Sequence, residues 1–189
     1  ARVFAKSINC EKRKKDSADP CNACPSCKEI TDGRALDIIE IDAASNTGVD
    51  NVKDNIIAST RVAPSRSKYK VFIIDEVHML STQAFNALLK VIEEPPANVI
   101  FILCTTEAHK VPATIISRCQ RFDFKRIGVN EVVKKLAYIA QAENVKIEKN
   151  INNADDIVIK SCKMTIININ LLNVVNYNKC KQKYLQCKL

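Results

Sequence analysis

The chain has 189 residues, 47% hydrophobic and 26% charged, enough for one ordinary domain or one domain with part of a second, and too apolar for a wholly disordered polypeptide. Its formal charge of +8 and pI near 9.0 favour contact with a polyanion without requiring one. No apolar run is long enough to cross a bilayer, and the start, ARVFAKSINC, lacks an apolar core and a cleavage pattern, so a cytoplasmic protein without a membrane partner is expected. With Ala rather than Met at position 1, further sequence is expected upstream.

Residues 1–9 read as the last turns of a helix, with Val3, Phe4 and Ile8 on one side. Residues 10–27 are loop punctuated by Cys and Pro. Of nine cysteines, Cys10, Cys21, Cys24 and Cys27 cluster there as CEKRKKDSADPCNACPSC. In a chain with no export signal this clustering points to a metal site rather than to disulfides. Four thiolates at two overlapping CxxC steps suit a closed, structural zinc tetrahedron. Overlapping CxxC steps also serve iron–sulfur clusters, which visible absorption would distinguish. The run Lys12 to Lys15 in this loop reads as solvated surface.

CKEITDGRA is a short helix ended by Gly33, Leu36 to Asp42 a strand, and Thr47 to Thr60 a helix entered after a Ser/Asn/Thr cap. Tyr69 to Asp75 is a second strand. Ser81 caps a helix whose Phe85, Leu88, Leu89 and Ile92 fall at i, i+3, i+4 and i+7, and Pro95 and Pro96 stop it. Asn98 to Thr106 is a third strand. Near-continuous apolar runs suit a parallel sheet covered on both faces, so the pattern predicts an α/β domain. The chain then turns at Pro112, and a basic amphipathic helix follows over Val129 to Asn144, with Val132, Val133, Leu136 and Ile139 on one face. After about Asn150 the sequence is dominated by Ile, Asn and Lys, has no Gly or Pro, and keeps no clear period. It reads as a divergent helical region or as an out-of-frame translation.

Ligands of an open parallel sheet bind beyond the carboxyl ends of its strands. Asp42, Asp75 with Glu76, and Thr105 with Thr106 all fall at such ends. An apolar strand running into adjacent acids suits a carboxylate that holds Mg²⁺ through water and a second that polarises the water attacking a γ-phosphate. The simpler alternative is that Asp75 caps the next turn. Thr105 and Thr106 either end a strand or sense the γ-phosphate. Arg118 is either a surface residue or completes a neighbouring subunit's site. His78 reads as a packing or supporting residue rather than a ligand. The chain contains only Gly33, Gly48 and Gly128, and no pair has the GxxxxGK[ST] spacing of a phosphate loop.

IEIDAASNTGVDNVK, FIIDEVHMLS, FNALLKVIEEPP, FILCTTEAHKVPATIISRCQRF and the four-Cys insert, in this order over residues 1–148, resemble the gamma/tau family of the bacterial DNA polymerase III clamp loader. That family consists of AAA+ ATPases that act in ring-like hetero-oligomers to open the sliding clamp and place it on primed DNA beside the polymerase core. The resemblance implies an AAA+ P-loop-type parallel sheet with flanking helices. It implies Asp75 and Glu76 as Walker B acids, Thr105 and Thr106 as the sensor 1 region, and Arg118 as the finger acting on a neighbour's ATP. It also implies Cys10, Cys21, Cys24 and Cys27 as zinc ligands, and the helix Ser81 to Glu94 as an element facing the clamp. The expected organisation is an incomplete core over 1–125 with a zinc module at 10–27, the start of a helical lid over 126–150, and a divergent or frame-shifted tail over 151–189.

Two departures stand out. ARVFAKSIN matches the helix that follows the family's phosphate loop, so the chain alone is not expected to hydrolyse ATP. The family's lid and its sensor 2 Arg are not recognisable beyond about residue 150. Two alternatives follow from the residues: a non-hydrolysing AAA+ scaffold subunit, which would not need the acid pair, and a zinc-stabilised DNA-binding module, which would bind DNA alone with steep salt dependence.

Overall fold

The computed structural model describes residues 1–14, 16–45, 56–125, 128–142 and 165–167. Strands β1 (Ile38–Asp42), β2 (Lys70–Asp75) and β3 (Val99–Thr105) pair in parallel, with Asp42 opposite Asp75 and Ile74 opposite Leu103. Two three-residue strands extend the sheet. These are β4 (Arg121–Asp123) and β5 (Thr165–Ile167), and β5 runs antiparallel between β3 and β4. The order is β1-β2-β3-β5-β4.

The helices are α1 (Arg2–Asn9), α2 (Pro25–Thr31), the single turn α3 (Ala58–Thr60), α4 (Thr82–Glu93), α5 (Ala113–Ile116) and α6 (Val129–Ala142). Among the described residues no helix is long and apolar enough to cross a membrane.

The apolar runs behave as their composition predicts: Lys70 to Ile74 and all of β3 are buried. Alternation along the strands separates two cores. Phe72, Ile74, Phe101 and Leu103 pack with Phe85, Leu88 and Ile92 of α4, and the Phe72 and Phe101 rings stack with centroids 5.2 Å apart. Val71, Ile73, Ile100, Ile102 and Cys104 face Ala5 of α1, with Phe4 and Ile8 at the border. Each fully buried Val, Leu, Ile or Phe among them contributes about 1.5–3 kcal/mol.

Ser81 caps α4 by accepting the Ala84 N–H at 3.1 Å, and Gly33, at φ +69°, turns the chain out of α2. A left-handed residue just past a helix end is where glycine is favoured.

Two buried polar side chains fix the loop that enters β2. The Asn9 amide pairs with both backbone groups of Tyr69, at 3.0 and 2.9 Å. The Asp37 carboxylate accepts the N–H groups of Ser65, Arg66 and Ser67.

Several expectations need correction. Val3 is exposed, while Phe4 and Ile8 pack half-buried against the sheet as expected and Ala5, Ser7 and Asn9 are buried, so α1 meets the sheet through its Phe4, Ala5 and Ile8 side. Leu36 lies outside the strand and is 79% exposed, since β1 begins only at Ile38. Helix α2 starts at Pro25, two residues before the expected Cys27, and ends at Thr31. Of the helix expected over Thr47 to Thr60, residues 47–55 lie outside the described residues, and so does most of the segment beyond 142.

Candidate functional site

The carboxyl ends of β1, β2 and β3 meet at one edge, and each end residue there has a defined partner. Asp42 accepts the Ser45 hydroxyl at 2.7 Å and the Ala44 N–H at 2.9 Å. These bonds, the hydroxyl foremost, hold its carboxyl below the usual range. Asp42 therefore caps its own turn. Asp75 Oδ1 accepts the Glu76 N–H at 3.0 Å and the side chain remains exposed at the strand end, so the capping and the site readings of Asp75 coexist.

Glu76 adopts φ 46°, ψ 43°, a left-handed conformation uncommon for a residue with a Cβ and costing on the order of 1–3 kcal/mol. The kink turns its side chain off β2 towards the end of β3. There Oε2 accepts the Thr106 hydroxyl at 3.1 Å and lies 3.4 Å from the Thr106 N. The next residues wind into a 3₁₀ turn, Val77–Met79, which inserts the His78 ring behind the acids.

That ring, 7% exposed, has Nδ1 at 2.9 Å from Thr105 Oγ1 and 3.3 Å from Glu76 Oε2, and Nε2 at 3.1 Å from Glu107 Oε2. Thr105, buried at the end of β3, also accepts the Glu107 N–H at 3.0 Å. Lys110 meets Glu107 at 2.7 Å and is the main reason that carboxyl titrates low.

The structure thus brings Asp75, Glu76, Thr105 and Thr106 to one corner. Sequence reasoning missed Glu107, for which no spacing signal exists. It assigned His78 a supporting role without partners.

Arg118 follows α5. Its Nη2 is 2.7 Å from Glu93 Oε1 and its Nη1 donates to the Thr114 carbonyl at 2.8 Å. The side chain is 40% exposed. Its described partners thus lie on the α4–α5 surface.

The second constellation is the Cys cluster. Cys10 follows α1, Cys24 caps α2 and Cys27 sits in its first turn behind Pro25. The four Sγ atoms lie within 4.8 Å of one another, and Cys21 and Cys27 are 4.0 Å apart. A tetrahedral ion with bonds of about 2.3 Å needs sulfur–sulfur edges of roughly 3.8 Å, so the set is close to that geometry.

Backbone N–H groups point at the sulfurs: Cys21 at Cys10, Ala23 and Cys24 at Cys21, Cys27 at Cys24. The Ala23 and Cys24 amides lower the Cys21 thiol to about 6, while burial pushes Cys27 up to about 12. Left-handed Asn22, at φ 54°, turns the loop, and its Oδ1 accepts from Lys6 of α1 at 3.0 Å.

A family model described as DNA polymerase III, delta subunit, matches residues 1–128. The chain is 58% identical over 149 residues to DNA polymerase III subunit tau of Bacillus subtilis (strain 168), covering 79% of this chain and 26% of that protein. To DNA polymerase III subunit tau of Escherichia coli (strain K12) it is 47% identical over 145 residues, covering 77% and 22%. The solved structure of a DNA polymerase III gamma subunit-related protein from Thermotoga maritima MSB8 matches with a TM-score of 0.50 at 24% identity, over 75% of this chain and 50% of that one. At that identity it speaks to the fold alone. The chain spans about a quarter of the length of these curated relatives.

Proposed function

The chain belongs to the DNA polymerase III subunit family, with the tau and gamma subunits as relatives, and on that premise we propose that it is part of an ATP-driven clamp-loader subunit acting in DNA replication. Its partners are then other clamp-loader subunits, the sliding clamp, primed DNA and the polymerase core. The single observation that carries the reading is the convergence of Asp75, Glu76, Thr105 and Thr106 at the carboxyl edge of the sheet, in a chain 58% identical to a tau subunit.

The donor set fits Mg-ATP in part. Two adjacent carboxylates and two threonines supply oxygen ligands and hydroxyls of the required kind. The phosphate cradle itself is absent from this sequence, which has no GxxxxGK[ST]. When bound, Mg-ATP supplies the phosphoryl group and the charge that neutralises it. Asp75 would hold the ion through water, and Glu76 would accept the proton of the attacking water. Thr105 and Thr106 would report on the γ-phosphate.

Arg118 is proposed to serve an adjacent subunit's ATP. Its exposed pair with Glu93 is worth only about 0–1 kcal/mol, so a phosphate can displace it. This core is proposed to span 1–125, with α6 as the start of a lid over 126–150 and the remaining residues as a tail.

Cys10, Cys21, Cys24 and Cys27 would hold a structural zinc. Their close mutual spacing suits one ion better than a multi-iron cluster. With all four positions taken by protein, the ion has no opening for substrate.

The competing reading is a non-hydrolysing AAA+ scaffold subunit, which would not need the acid pair. Glu76→Gln in the full-length subunit separates the two. The ATPase reading expects retained ATP binding with turnover lowered about 100-fold or more. Parental turnover in that variant would overturn it.

A further inference from the structure

We propose that His78 is a positioning residue of this ATPase site, tying the Glu76 carboxylate to the Thr105–Glu107 segment at the end of β3. The inference rests on the reading of Glu76 given above.

A buried histidine beside a turn is often no more than a satisfied packing residue. Here its three polar partners are the carboxylate assigned to water activation, the threonine at the end of the neighbouring strand, and the carboxylate two residues further on. Nδ1 lies 2.9 Å from Thr105 Oγ1 and 3.3 Å from Glu76 Oε2, and Nε2 lies 3.1 Å from Glu107 Oε2. Thr105 Oγ1 in turn accepts the Glu107 N–H at 3.0 Å. The imidazole therefore closes a loop of contacts between the ends of β2 and β3.

The left-handed backbone of Glu76 points its side chain at this segment, where the Thr106 hydroxyl holds Oε2 on one side and the imidazole on the other. With the ring in place, any shift of Thr105 to Glu107 moves the Glu76 carboxylate with it. Without the ring, Glu76 loses its support on one side and can swing. An error of about 1 Å in a reacting group can cost on the order of 100-fold in rate.

The test uses the full-length subunit in its assembled complex, with ATP as the varied substrate. His78→Ala is expected to lower kcat about 10- to 100-fold while KM stays within about 3-fold, as loss of an interaction made only in the transition state does. Glu107→Ala should lower kcat in the same direction, since it removes the ring's Nε2 partner, and the double variant should be no slower than His78→Ala alone.

A normally melting His78→Ala protein with kcat within about 2-fold of the parent would overturn the inference, as would additive losses in the double variant. If His78→Ala does not fold, Glu107→Ala decides, because Glu107 is solvent-accessible and removing it leaves the core intact. A kcat loss of several-fold at constant KM supports the inference, and parental kcat overturns it. Parental turnover in Glu76→Gln would instead remove the ATPase reading on which this inference stands.

Discussion

Asp37 offers a stability test whose size can be worked from its contacts. It is 2% exposed, and its carboxylate accepts three backbone N–H groups: Ser65 at 2.8 Å on Oδ1, and Arg66 at 2.9 Å and Ser67 at 2.8 Å on Oδ2. Burial alone would raise its pKa. The three amides, with the Ser67 hydroxyl, more than offset that and hold it below the ordinary value.

Asp37→Asn keeps the shape but leaves a single acceptor oxygen, so at least one donor loses its partner and the others lose the charge. With hydrogen bonds to charged groups worth about 1.5–3 kcal/mol each, and with the loop N–H groups able to reach water, the expected cost is about 2 kcal/mol. For Asp37→Ala it is about 3 kcal/mol.

The pH dependence has a definite sign. A carboxylate with a depressed folded pKa contributes stability above its unfolded value of about 3.9, and that contribution disappears as pH falls through the lower folded value. Urea unfolding followed by circular dichroism should therefore show a large gap between parent and Asp37→Asn at pH 7 that narrows below about pH 4. A cost under about 0.5 kcal/mol for Asp37→Ala, or a gap that widens in acid, would refute this reasoning.

Other outcomes follow from the same structure. The chain should bind a single zinc, chelation should lower its melting temperature, and Cys24→Ser should lose metal. Burial holds the Cys27 thiol above its ordinary range while backbone amides lower Cys21, and zinc takes its sulfur ligands as thiolates, so at least Cys27 must give up a proton to bind. Apparent affinity should therefore rise with pH and binding should release protons, which an unbuffered titration measures; pH-independent affinity would contradict the cluster geometry. Leu88→Ala, at a fully buried position between α4 and the sheet, should cost about 2–5 kcal/mol in the same urea assay.

The parallel core was legible because strands buried on both faces must be apolar throughout, and VFII and VIFILC are. The start of α4 was legible because Ser81 supplies a cap that the helix's first turn needs. What escaped the sequence reading lacks a repeating pattern. β4 and β5 are three residues each, too short for alternation to register, and β5 lies in a stretch with no period. Nothing in the residue types marks Glu76 as left-handed, since glutamate, unlike glycine, Asn or Asp, is not enriched in that conformation. The partners of His78 and Arg118 are set by how separate elements meet, which composition does not encode. The four thiols are the opposite case, because their spacing alone names the chemistry and the fold then brings the sulfurs together.

The most direct test of the central claim supplies what this sequence lacks. The phosphate-loop segment of a tau relative, joined ahead of Ala1 and assembled with the other clamp-loader subunits, should yield a complex whose ATP hydrolysis includes this subunit's site, and Glu76→Gln in that chimera should abolish this contribution while ATP still binds. An assembled complex whose chimeric subunit binds ATP and does not hydrolyse it, or one whose Glu76→Gln variant turns over at the same rate, would contradict the account.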